Sequence, residues 1–119
     1  MIKQTDPHKR GKSARRKGKG AEIAIARIFR EQYGIDVRRG HVFDHESDLV
    51  GIPGIHPEVK RQERLNVFEA MDQAVEEAAK RKDGVPTVFF RKDRTDWLVA
   101  MRLDDWVEMY KSWEIKNHL

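Results

Sequence analysis

Asp48, Glu58 and Lys60 are the residues whose types and spacing could do chemistry. They lie in the run Asp48-Leu49-Val50-Gly51-Ile52-Pro53-Gly54-Ile55-His56-Pro57-Glu58-Val59-Lys60. An aspartate is followed, after a Gly/Pro turn, by Glu-x-Lys in a predicted strand. Successive strand side chains point to opposite faces, so Glu58 and Lys60 share one face and Val59 takes the other. The turn lets the strand that begins at Asp48 run beside the strand of Glu58. Two carboxylates brought together repel, and one is driven toward protonation unless a cation joins them. Mg²⁺ or Mn²⁺ suits hard oxygen ligands of this kind. Such an ion polarises a phosphate and lowers the pKa of a water, and Lys60 could orient that water and stabilise the developing charge. The chemistry this set fits is phosphodiester hydrolysis.

The elements around these residues must position them. A helical period from about Gly20 to Tyr33 sets Ala21, Ile25, Ile28, Phe29 and Tyr33 on one face, with Gly34 as the stop. Glu22 falls on that same face. A carboxylate aimed at the core is costly unless something there wants it, so Glu22 is a candidate third carboxylate, acting directly or through water. Residues 36–43, 48–50 and 57–62 read as strands. Asn66-Val67-Phe68-Glu69 resembles a capping box opening a helix to about Arg81. Its predicted inward face is Phe68, Met71, Val75, Ala78 and Ala79, which puts Gln73 on the opposite side. Residues 87–90 and 97–101 are short β-type runs. Asp104 or Asp105 then caps a last helix carrying Trp106, Met109, Tyr110 and Trp113. The order is α-β-β-β-α-β-β-α. It predicts an α/β fold, a mixed β-sheet flanked by helices.

Charge is distributed unevenly. Residues 1–20 carry eight Lys/Arg against Asp6 alone, whereas the rest carries 16 basic and 19 acidic residues. The net charge of +4 is therefore a property of the N-terminal segment and not of the body. Residues 1–18 read as a basic flexible arm and residues 19–119 as a single nuclease-type domain. Lys9, Arg10, Lys12, Arg15, Arg16, Lys17 and Lys19 are candidate phosphate contacts. The chain has no cysteine, which excludes disulfides, zinc–thiolate sites and thiol chemistry. No apolar stretch approaches the roughly 20 residues of a membrane span. The basic N-terminus lacks the apolar segment of a signal peptide, and a cytoplasmic location is expected.

Other residues carry weaker signals. Glu114-Ile115-Lys116 repeats the Glu-x-Lys pattern at a helix end, without an aspartate-bearing turn before it. His41, Asp44, His45 and Asp48 are spaced like metal ligands, but no helix presents His41 and His45 together. They are read as a polar loop beside the site, where His45 or Ser47 could touch substrate. Arg38, Arg39, Arg61 and Arg64 flank the site, and for each of them phosphate binding and ordinary surface charge are both open readings. Gln62 shares the face of Glu58 and Lys60 and could contact DNA or water. Trp106, Tyr110 and Trp113 form one helical stripe. Aromatics can stack on unpaired bases, but such a stripe fits core packing or a subunit contact better.

Taken in order, these residues resemble the PD-(D/E)XK nuclease superfamily, and within it the small Holliday-junction resolvases of archaea and phages. The resemblance covers roughly residues 18–101. Lys17-Gly18-x-Gly20-x-Glu22 before an amphipathic helix is similar to the family's opening segment. Asp48 matches the motif aspartate and Glu58-Val59-Lys60 the (D/E)xK. Ser47 stands where many members have proline. The resemblance implies a restriction-endonuclease-like core, Mg²⁺-dependent cleavage of DNA and a homodimer. By position, Glu22, Asp48 and Glu58 would be the acidic metal-site residues, the Val59 carbonyl a further ligand, and Lys60 the catalytic lysine. The expected function is a DNA endonuclease acting at four-way junctions, in a cytoplasm that could be a phage host's. The alternatives are a related repair or restriction-type nuclease on duplex, flap or end substrates, and a non-catalytic DNA-binding module with a basic tail.

Overall fold

The structure, a computed structural model, describes residues 7–41 and 46–118, with side chains from Gly18 onward. Helix α1 spans Pro7–Tyr33, β1 Arg38–Arg39, β2 Leu49–Val50 and β3 Ile55–Arg61. Then come α2 Val67–Arg81, β4 Val85–Arg91, β5 Leu98–Ala100 and α3 Leu103–His118. The predicted element order is the observed one. The strands form a two-stranded antiparallel β1–β2 pair and a three-stranded sheet in the order β3-β4-β5. β3 and β4 are parallel, and β5 returns antiparallel to β4.

α1 starts well before the expected Gly20. Pro7 suits a first helical turn, and Lys, Arg and Ala are good helix formers. The segment has no apolar period, so periodicity alone could not show it. The far end is as expected: Gly34 takes φ +67° and donates its N–H to the Arg30 carbonyl at 3.2 Å.

Two apolar clusters hold the two faces of the β3–β4 pair. Ala21, Ile25 and Ala26 of α1 meet Val37, Leu49 and Val59, with Phe29, Phe89 and Trp97 packed around them. Ala70 and Ala74 of α2 meet Val88, with Leu65, Met71 and Phe90 beside them. Val59 therefore belongs to the α1 side. By strand alternation Glu58 and Lys60 face the α2 side.

α2 opens as predicted, with the Asn66 side chain accepting from the Phe68 and Glu69 amides at 3.1 and 3.2 Å. Its packing face differs. The buried residues are Ala70, Ala74 and Ala78, while Phe68 is 84% exposed and Ala79 is exposed. A stripe of small residues at i, i+4, i+8 lets the helix lie close on β4. Phe68, in the first turn beside the cap, finds no cover.

Of the two readings of the α3 stripe, core packing is not the one observed. α3 has no buried residue, and its aromatic stripe is packed against no core. Among the described residues no helix is long and apolar enough to cross a membrane.

The start of the β3–β4 pair depends on Gly84. Its φ is +140°, and a Cβ there would stand 2.4 Å from the Gly54 carbonyl carbon. The neighbouring Val85 N–H donates to the Gly54 carbonyl at 2.8 Å. Gly84→Ala is expected to cost about 2–4 kcal/mol, combining a left-handed backbone with a backbone clash. Denaturant unfolding would show it as a lowered midpoint with an unchanged slope.

Candidate active site

β3 carries the centre of the site. Glu58 is opposite Val88 in the β3–β4 register and is only 5% exposed. The Val59 N–H donates to Asp48 Oδ2 at 2.8 Å, which ties the residue before β2 to β3. Asp48 and Glu58 are thereby brought together across the Gly/Pro turn. The Glu58 carboxyl is pushed up to about 8. Burial is the main cause, and the Asp48 charge is the next. The Lys60 charge opposes the rise, whereas a hydrogen bond to Asp48 and the charge of Glu77 add to it. Glu22 is also raised, by burial first and then by Asp48, against a hydrogen bond from Arg39.

Glu22, Asp48, Glu58, Lys60, Gln62 and Gln73 line one cleft of about 530 Å³. Its walls come from α1, the loop before β2, β3 and α2. All four predicted catalytic side chains face this cleft, with Val59 in its lining. Glu22 is engaged there by Arg39, whose Nε donates to Oε2 at 2.5 Å. Among the described residues no three His, Cys, Asp or Glu side chains form a metal-holding group. Asp48 and Glu58 are tied together at β3, and Glu22, which shares the cleft and feels the Asp48 charge, is engaged by Arg39.

This donor set suits a hard divalent cation. Two carboxylates side by side, one held protonated by burial first and by its neighbour's charge second, are what such an ion relieves. Magnesium keeps several waters and needs only one or two carboxylates, so a third acidic side chain is not required.

Other predicted residues fall elsewhere. Ser47 is not among the residues that line this cleft: it is buried, its Oγ donates to Asp83, and it lies 3.1 Å from His56 Nδ1. Arg38 pairs with Glu46, and Arg61 pairs with Asp93 at 3.0 Å while lining the cleft. His45 lies outside the described residues. So do the side chains of Lys9, Arg10, Lys12, Arg15, Arg16 and Lys17, whose backbone is helical in α1. Lys19 is exposed.

Residues 13–119 match the family model described as "Phage putative PDDEXK endonuclease". The chain belongs to this endonuclease family. Its α/β core, with a mixed β3-β4-β5 sheet between α1 and α2, is the restriction-endonuclease-like arrangement expected. No curated protein and no solved structure matches the chain.

Two features of this PD-(D/E)XK endonuclease escaped sequence reasoning. Gln73 faces the cleft because α2 packs through its alanines and not through Phe68. Glu77, one turn further on, shares a smaller cavity with Asp48, His56 and Glu58. The spacing of Ala70, Ala74 and Ala78 was the available signal. The second feature is a buried clamp. His56 is 2% exposed, and its Nδ1 lies 2.8 Å from Asp83 Oδ1. Ser47 and His56 flank Asp48 and Glu58 in sequence, so Asp83 fixes both carboxylate-bearing segments at once. Nothing local in sequence joins residues so far apart.

Proposed function

We propose that this chain is a metal-dependent DNA endonuclease that works as a homodimer on branched DNA, above all at four-way junctions. The observation that carries the nuclease reading is the buried Glu58 carboxyl, raised to about 8 beside Asp48 in a cleft shared with Lys60. Asp48, Glu58 and the Val59 carbonyl would hold Mg²⁺, for which Mn²⁺ can substitute, and the ion would supply charge neutralisation at the phosphate and an activated water. Lys60 shares the β3 face of Glu58 and reaches the same cleft. Its ammonium orients the attacking water and stabilises charge on the phosphate oxygens. Glu22 braces Arg39 at the rim, where the guanidinium can meet a backbone phosphate. Gln62 and Gln73 line the same cleft and offer it amide donors and acceptors. Glu58 is buried, Asp48 half-buried, and both segments are clamped, so the geometry is held before substrate arrives, which is what positioning demands.

Residues 1–18 are proposed as the arm that grips DNA, and residues 19–119 as the nuclease domain. Each phosphate contact contributes about −0.9 to the slope of log affinity against log salt. Neutralising Lys9, Arg10, Lys12, Arg15 and Arg16 with glutamine is therefore expected to flatten that slope by about 4.5 units, measured by anisotropy across a salt series. An unchanged slope would remove the arm from the interface.

The test of function is cleavage of a labelled four-way junction and of a linear duplex of equal length, with Mg²⁺ or EDTA. Junction cutting in Mg²⁺ alone is the expected result. Equal cutting of both substrates would leave a nuclease without junction preference, as in repair or restriction. Binding without any cutting would make the chain a non-catalytic DNA-binding module.

A further inference from the structure

α3 is the element that the rest of the chain leaves uncovered. None of its residues is buried. Leu103, Trp106, Tyr110 and Trp113 follow one another at alternating steps of three and four, the spacing of a seam that faces one other helix. The Trp106 and Tyr110 rings stack with centroids 5.3 Å apart, and the Tyr110 and Trp113 rings with centroids 5.9 Å apart. The three rings form one continuous wall, yet they remain 49%, 42% and 54% exposed. A contiguous exposed apolar wall marks a contact surface.

The charges on α3 select the occupant. Asp104 and Asp105 stand in the first turn, and Lys116 and His118 in the last. Two copies laid in the same direction would set acid against acid. Laid in opposite directions, the acidic end of each meets the basic end of the other, at both ends by two-fold symmetry. The helix dipoles oppose favourably in that arrangement as well. A nucleic acid would instead meet Asp104, Asp105, Glu108 and Glu114 around the aromatic wall. Against them stand Lys116, Lys111, which already pairs with Glu108 at 3.2 Å, and the neighbouring Arg102, which pairs with Asp105 at 3.0 Å.

We infer that α3 is a self-association surface, on which two copies of this chain pair antiparallel through Leu103, Trp106, Tyr110 and Trp113. This rests on the homodimer of the preceding reading and gives it a contact. Its mass measurement needs neither DNA nor metal, so its failure and that of the nuclease reading are separately visible.

The measurement is the mass in solution of the full chain, 14.0 kDa as a monomer, by sedimentation over a concentration series. The expected mass doubles as concentration rises. Trp106→Glu and Trp113→Glu should each weaken pairing at least tenfold, with circular dichroism unchanged. Two charge variants make the test independent of the aromatic substitutions. Asp104→Lys/Asp105→Lys alone sets base against base, and Lys111→Glu/Lys116→Glu alone sets acid against acid, so each should stay monomeric. Mixed in equal amounts they should pair again, because each end then joins opposite charges. A wild-type chain that remains at monomer mass overturns the inference. So does a dimer that the tryptophan substitutions leave intact, or a mixture that does not pair. Loss of single-stranded DNA binding in Trp106→Glu, with monomer mass throughout, would reassign the wall to nucleic acid.

Discussion

Glu58→Gln is expected to abolish cleavage and, without metal, to leave the protein more stable than wild type at pH 8. The two effects have one cause. Glu58 is buried beside Asp48, and its carboxyl titrates near 8 instead of the ordinary 4.5. The folded state therefore holds a proton that the unfolded chain has already released. Stability from this group is fully present below about pH 4.5 and is lost as pH rises toward 8. On the order of 2–4 kcal/mol is at stake by pH 8. Glutamine does not titrate, so its melting temperature should stay flat across that window while that of the wild type falls. Added Mg²⁺ should raise the wild-type curve and leave the variant unmoved. Cleavage should drop by roughly 10³-fold or more, because an uncharged amide cannot replace the second carboxylate. Thermal melts from pH 5 to 9, paired with single-turnover cleavage, read both effects. A variant that melts with the same pH slope as wild type would remove the buried charge from the account.

Lys60→Ala should leave metal binding in place at alkaline pH yet cost about 10²–10³ in the cleavage rate. The lysine is argued to act on water and phosphate and not as a ligand. It also holds the Glu58 carboxyl down against burial and Asp48. Without it, Glu58 rises further, and half-maximal metal binding should need a higher pH. The variant therefore separates two roles: the rate falls at every pH, while the binding deficit closes as pH rises. A full rate at saturating metal would leave Lys60 as an electrostatic brace only.

Much of this site was legible because its signals are local. Asp48, the Gly/Pro turn and Glu58-Val59-Lys60 are neighbours in sequence, and strand alternation alone assigns their faces. Glu22 stood out as a carboxylate on an apolar helix face. The order of elements followed from periodicity and caps such as Asn66. What escaped has physical reasons. The start of α1 lacks an apolar period, so only propensity could have placed it. α2 was turned the wrong way because Phe68 outweighs alanine on any hydrophobic scale, although close packing on β4 needs alanine. That rotation hid Gln73 and Glu77. The aromatic stripe of α3 reads the same whether its cover is the chain's own core or a second copy. The Ser47–His56–Asp83 clamp joins three elements that only the fold brings together.

The most direct measurement is calorimetric titration of Mn²⁺ at pH 7, run in two buffers of different ionisation heat. The account expects ion binding that releases about one proton, the one Glu58 holds when Asp48 is its charged neighbour. Asp48→Asn and Glu58→Gln should each remove that binding and its proton. Unchanged Mn²⁺ binding in both variants would contradict the assignment of these two carboxylates as the metal site.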